Sequence, residues 1–282
     1  METLLLLLPA LALCILMLIT HTYLGLHVLA RGIIFVDLAL AQVAALGVSV
    51  AFLLGKEAHG ITGELYALAA TFTAALGFAW LRKLSNKTAR EVTIGCVYVI
   101  STALSIVILS RSSQGMEELK AMLNGNILWV SWGDLLWVAL VYSALILLHG
   151  IFHKKFIALS FSQDDMNGHK DVRHTPFLWE FLFFASFAVT ITLAVNFAGV
   201  LLVFAFLIIP AFSASLWTTA LSKQLILAWI LGLLGSIAGL ILSFVADLPA
   251  GATVVSVLGL LPILTGLFKI LVKPEILAKS GR

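Results

Sequence analysis

The chain has 282 residues, 61% of them hydrophobic and only 11% charged, with 17 Lys and Arg against 14 Asp and Glu. Its mean hydropathy of +1.11 lies far above the mixture found in water-soluble domains. That excludes a soluble enzyme or a disulfide-framed secreted domain, and no nucleic-acid partner is expected. The fold class expected is an all-α, polytopic membrane helical bundle forming one transmembrane domain over residues 1–282.

A helix needs about 20 apolar residues to cross a hydrocarbon core of roughly 30 Å. Stretches of that kind run at Leu4–Tyr23, Ile33–Leu54, Ile61–Leu81, Val92–Leu109, Leu135–Phe152, Leu178–Val195, Phe197–Trp217, Gln224–Phe244 and Ala252–Val272. The first carries Glu2 and no cation ahead of its apolar core, so it reads as a retained helix and not as a signal peptide. The sixth and seventh meet at "VNFAGV", where Asn196 and Gly199 mark either a tight hairpin or a break in one long helix. The count is therefore nine spans, or eight. Cys14 and Cys96 both fall within spans, which leaves no disulfide framework and no thiolate cluster.

Lys and Arg accumulate in cytoplasmic loops. With the C-terminus inside and the N-terminus outside, 14 of the 17 cations lie on the inner side, leaving Lys56, Arg111 and Lys120 outside. The outer side holds Glu2, Glu57, Glu64, Glu117, Glu118, Asp134 and Asp247. Such a negative mouth concentrates cations, although loops stripped of Lys and Arg become acidic for no functional reason as well. The chain contains no G-x-x-x-x-G-K-[ST], H-E-x-x-H or G-x-S-x-G pattern, so neither nucleotide chemistry nor hydrolysis is expected of it. Any ATP would be used by another chain.

"RGIIFVDLALAQVAALG", residues 31–47, sets one carboxylate, Asp37, and one amide, Gln42, inside the second span. Six residues past Arg31 put Asp37 roughly 9 Å into the membrane, where an ionised group costs a few kcal/mol unless partnered. It either locks two helices through a hydrogen bond or lines a substrate path. Gln42 lies about 140° around the helix from Asp37, whereas Gln42 and Ser49 share a face. Ala39, Ala41, Ala44, Ala45 and Gly47 allow close helix approach. Further along, Pro210 removes a backbone donor and is expected to kink its helix. Asp247, just ahead of "ATVVSVL", is expected to cap the last helix or to meet ions at the outer mouth. Gly251 beside Pro249 is expected to form a tight turn.

"GVLLVFAFLIIPAFSASLW" (199–217), "DLPAGATVV" (247–255) and "GNILWVSWGDL" (125–135) resemble, in order, motifs of the membrane permeases of bacterial ABC importers for zinc, manganese or iron(II). The resemblance implies a multi-pass protein of the bacterial cytoplasmic membrane, in contact with lipid and paired as a homodimer or with another permease. It also implies a cytoplasmic ABC ATPase and an extracytoplasmic solute-binding protein as partners. The cargo would be a divalent metal, with no cofactor bound by the chain itself.

In that family the second helix reads Gly-Asp-Ala-Leu-Ser-His-Ala-Val-Leu-Pro-Gly, with Asp and His meeting the metal. Counting from Arg31 places Asp37 on the Asp and Ala41 on the His; counting back from Gly47 places Gln42 on the His and Leu38 on the Asp. Either way the His is missing, so Asp37 is the one metal ligand carried over. His21 and His27 are candidates to compensate, provided the first helix bends near Gly25; otherwise they are interfacial. An amide oxygen suits manganese better than zinc, and a chelated cargo or a secondary transporter remains an alternative. The family's docking loop corresponds to residues 153–176, where "ALSFSQDDMNGHKDVRHTP" keeps the frame at Phe161 and Gly168 and places Asp164 and Asp165 between them, but lacks the family's Asp-Pro.

Overall fold

The computed structural model describes residues 2–57, 60–81, 86–111, 115–125, 127–161 and 176–272. Ten helices account for nearly all of them: α1 (Glu2–Arg31), α2 (Val36–Leu53), α3 (Ile61–Trp80), α4 (Lys87–Leu109), α5 (Gly115–Asn124), α6 (Trp132–Ile151), α7 (His153–Phe161), α8 (Phe177–Ser215), α9 (Leu221–Ala246) and α10 (Ala250–Val272). Among the described residues there is no strand, and eight of the helices are long and apolar enough to cross a membrane. The short helices α5 and α7 are not legible as spans and were not expected. Exposed leucines and isoleucines such as Leu140, Leu260, Ile263 and Leu264 cover the outside, as a hydrocarbon solvent permits.

Straight, the 39 residues of α8 would run about 58 Å, close to twice the hydrocarbon thickness. The helix instead breaks at Gly199, with φ 72° and ψ 162°, and the chain turns back. Contacts at both ends establish the reversal. Glu180, near the start of the first limb, pairs with Arg31 at the end of α1. Asn196, near its end, donates to Glu64 at the start of α3 over 3.3 Å. The second limb then returns along α1, since Leu207 O and Ala211 Cβ lie against Gly25, and Trp217 packs on Phe268 near the end of α10 at 5.7 Å. The junction is thus a tight hairpin and the described helices make nine crossings. Pro210 stays within helical backbone, Gly199 being the non-helical residue of α8, and its ring packs towards Gly232.

The residues around Gly199 explain the sequence motifs in physical terms. A Cβ on Gly125 would stand 2.2 Å from the carbonyl carbon of Ala198, and one on Gly199 would stand 2.3 Å from the nitrogen of Gly125. A Cβ on Gly251 would lie 2.6 Å from Asn124 O. All three motifs therefore converge on one backbone-to-backbone junction of α5, the α8 hairpin and α10. Gly251 lies inside α10 and serves this contact; it does not form the turn before the helix. That turn is made at Asp247, which ends α9 in the left-handed region with φ 51°, three residues ahead of α10. Leu248 N donates to Ser243 O over 2.9 Å and Ser243 Oγ donates to Leu248 O over 2.6 Å, closing the end of α9. In the third motif, Ser131 and Asp134 form a reciprocal capping box for α6, satisfying two of its orphan donors.

Candidate transport site

α1 ends at Arg31, and Gly32 at φ 64° turns the chain into α2. The first turn of α2 has no side-chain cap, and Phe35 N donates to Glu91 Oε1 of α4 over 3.0 Å. Asp37 follows directly. It is fully buried, and neither carboxylate oxygen has a hydrogen-bond partner among the described residues. Of the two sequence readings of this acid, the described contacts contain no helix-locking hydrogen bond. Gln42 and Ser49 are buried too, and Ser49 Oγ donates back to Ala45 O over 2.8 Å. Helices α3, α4 and α8 surround α2, so a shared face does not distinguish Gln42 and Ser49 from Asp37. The small-residue stripe does bring backbones together: a Cβ on Gly47 would stand 2.6 Å from Tyr66 O of α3.

His21 and His27 are both buried inside the bundle, and the bend that would set them on one face does not form. α1 is helical without interruption through Gly25, and Gly25 serves instead the close approach of Leu207 O, 1.9 Å from where its Cβ would stand. The two rings consequently face different neighbours. His21 Nδ1 lies 3.0 Å from Met17 O, with its ring edge-on to Tyr142 at 5.9 Å. His27 Nδ1 lies 2.7 Å from Ser160 Oγ of α7. Both rings are fully buried with Nε2 unpartnered. Among the described residues no group of three or more His, Cys, Asp or Glu is placed to hold a metal ion. Asp37 is therefore not part of a three-ligand cluster among these residues.

Sequence reasoning missed a second buried polar cluster at the same end of the bundle. Arg31 pairs with Glu180 of α8, both nearly fully buried, and its guanidinium lies over Phe183 and Phe184 at 4.6 and 5.2 Å. His149 of α6 reaches Ser186 Oγ through Nε2 at 2.8 Å and stacks on Phe156 of α7 at 4.0 Å. Tyr23 stands between the two histidines, 4.7 Å from His27 and 5.4 Å from His149. Glu180 and His149, polar residues inside apolar runs, were the signal available in the sequence. Of the docking candidates, Phe161 is half-buried against His27 at 5.2 Å; Asp164, Asp165 and Gly168 lie outside the described residues. Asn196 and Asp247 are exposed near the Gly199 hairpin end.

Eight helices long and apolar enough to cross a membrane, one of them folded back at Gly199, define the chain as a polytopic membrane protein. It matches the ABC 3 transport family over residues 3–269, nearly its whole length, and belongs to that family. The manganese transport system membrane protein MntC of Listeria innocua is 31% identical over 236 residues, which cover 83% of this chain and 80% of that protein. A probable iron transport system membrane protein of Haemophilus influenzae is 26% identical, covering 87% and 84%. The fold is that of PsaBC from Streptococcus pneumoniae, solved in complex with a Fab, with a TM-score of 0.73, 24% identity, and coverage of 92% of this chain and 90% of that one.

Proposed function

We propose that this chain is the permease subunit of an ABC importer, carrying a divalent transition-metal ion inward across the bacterial cytoplasmic membrane. A separate ATPase supplies the energy, the chain itself having no nucleotide-binding motif, and an extracytoplasmic binding protein delivers the cargo. The relatives named for manganese and iron transport support the cargo class. The observation that carries the reading is Asp37, a carboxylate buried in a membrane helix without a hydrogen-bond partner among the described residues. Burying such a group uncompensated costs several kcal/mol, and a cation arriving beside it offsets that cost. A carboxylate oxygen donor such as Asp37 suits manganese.

The positive-inside bias places the Arg31 end of the bundle in the cytoplasm and the Gly199 hairpin outside, with the N-terminus out and the C-terminus in. A second permease copy completes the path that one chain leaves with a single ligand. Segment 153–176 docks on the ATPase, and closure of the ATPase shifts the bundle between two packings. The permease makes and breaks no covalent bond.

The test is reconstitution with the cognate ATPase and binding protein in proteoliposomes, following manganese, iron(II) and zinc separately. ATP-dependent uptake of manganese that is lost in Asp37→Asn is the expected result. Uptake indifferent to the substitution overturns the role of Asp37. Uptake that persists without the ATPase means a secondary transporter, and transport of none of the three ions directs attention to a chelated cargo.

A further inference from the structure

We propose that His27, through its contact with Ser160, is the positioning residue that couples the ATPase-docking segment to the transport helix carrying Asp37. This rests on the transport reading above and names the link by which the energy would reach the site.

α7 spans His153–Phe161 and leads directly into the remainder of the docking segment. A pull on that segment acts on Phe161 and Ser160 at one end and on Phe177 of α8 at the other. Ser160 is buried and its hydroxyl lies 2.7 Å from His27 Nδ1, while the ring of Phe161 stands edge-on to His27 at 5.2 Å. From His27 the route to Asp37 is covalent: one helical turn to Arg31, the Gly32 turn, then the first turn of α2. Arg31 is held to Glu180 on the way, so this end of α1 moves with the start of α8 and not independently. The Ser160–His27 hydrogen bond joins α7 to that route. α7 is also attached through Phe156, which stacks on His149 of α6 and meets Phe183 of α8 at 6.4 Å, a ring that itself lies 5.9 Å from His27.

Two further observations fit a contact with two arrangements. His27 Nε2 is buried with no hydrogen-bond partner among the described residues, a cost that a contact optimised for one state alone would avoid. Beside the cluster lies a cavity of about 240 Å³ lined by Tyr23, His149, His153 and residues of α9 including Trp229. Close-packed interiors rearrange only where there is room, and this space adjoins the α6–α7 corner.

The experiment uses the complete reconstituted complex and reads metal ions taken up per ATP hydrolysed, for wild type, His27→Ala, Ser160→Ala and His27→Asn. Asparagine carries a hydrogen-bonding atom at the branch position of Nδ1. The two alanine variants are expected to assemble with the ATPase and to hydrolyse ATP at the wild-type rate, but with uptake per ATP lower by about five- to tenfold. That is the factor by which one buried hydrogen bond of ordinary strength biases a two-state equilibrium. His27→Asn is expected to restore most of the ratio. An unchanged ratio in an assembled alanine variant overturns the proposal, and so does a parallel fall in assembly, hydrolysis and uptake in both. Wild-type complex that moves no ion with ATP takes down the transport reading and this inference together, whereas normal wild-type uptake with unchanged variants removes the inference alone.

Discussion

Gly199→Ala is the substitution from which most of the architecture can be judged. The backbone there, at φ 72° and ψ 162°, lies in a region open essentially to glycine, and holding another residue in it costs about 1–3 kcal/mol. The added methyl would also stand 2.3 Å from Gly125 N, 2.5 Å from Asn124 C and 2.7 Å from Leu123 O. These are backbone atoms with no rotamer to escape into, and relieving such an overlap costs a further ~1–3 kcal/mol. The expected loss is about 2–6 kcal/mol, a large part of a typical stability of roughly 5–15 kcal/mol. Gly259 of α10 is the control, since no atom lies within 4 Å of where its Cβ would stand; alanine there gains up to about 1 kcal/mol of helix propensity. Purified protein in detergent is heated in steps and the monodisperse fraction read by size-exclusion chromatography. The hairpin argument is refuted if Gly199→Ala melts with wild type and Gly259→Ala.

Arg31→Ala removes the buried cation paired with Glu180, a loss of about 3–5 kcal/mol. The double variant Arg31→Met with Glu180→Leu recovers most of it in the same thermal assay, and failure to recover would show that the charges themselves hold α1 to α8. On α4, the exposed residues Val92, Cys96, Val99, Ala103 and Ile106 recur at spacings of four and three, the seam of helix pairing. Mild oxidation of membranes is therefore expected to give a reducible dimer cross-linked through Cys96. Cys14 is fully buried, so Cys96→Ala should abolish the dimer band, and a band that persists would disprove this pairing face. The loss of uptake in Asp37→Asn completes the set.

The spans were legible because each is a long apolar run whose ends are marked by charge or turn residues, and lipid demands that such runs be helical. Asp37 was legible for the same reason: a lone acid stands out where nearly everything else is apolar. The neighbours of these residues were not legible. Gly25 looked like a bend and Gly251 like a turn, and both are points where another backbone passes, which local sequence does not encode. Pro210 is the expected kink and stays within helical backbone; the hairpin falls at Gly199, inside the "VNFAGV" junction that the sequence marks, because essentially only glycine takes its backbone angles. His21 and His27 looked like a pair, yet six residues along an unbent helix turned them to different partners. The sequence by itself determined a membrane-spanning helical bundle with one exceptional carboxylate, since hydropathy and helical length are properties of each segment alone. Only the tertiary structure decided that α8 folds back, that three distant motifs form one junction, and that His27 meets Ser160, because those depend on which segments pack together across more than a hundred residues of chain.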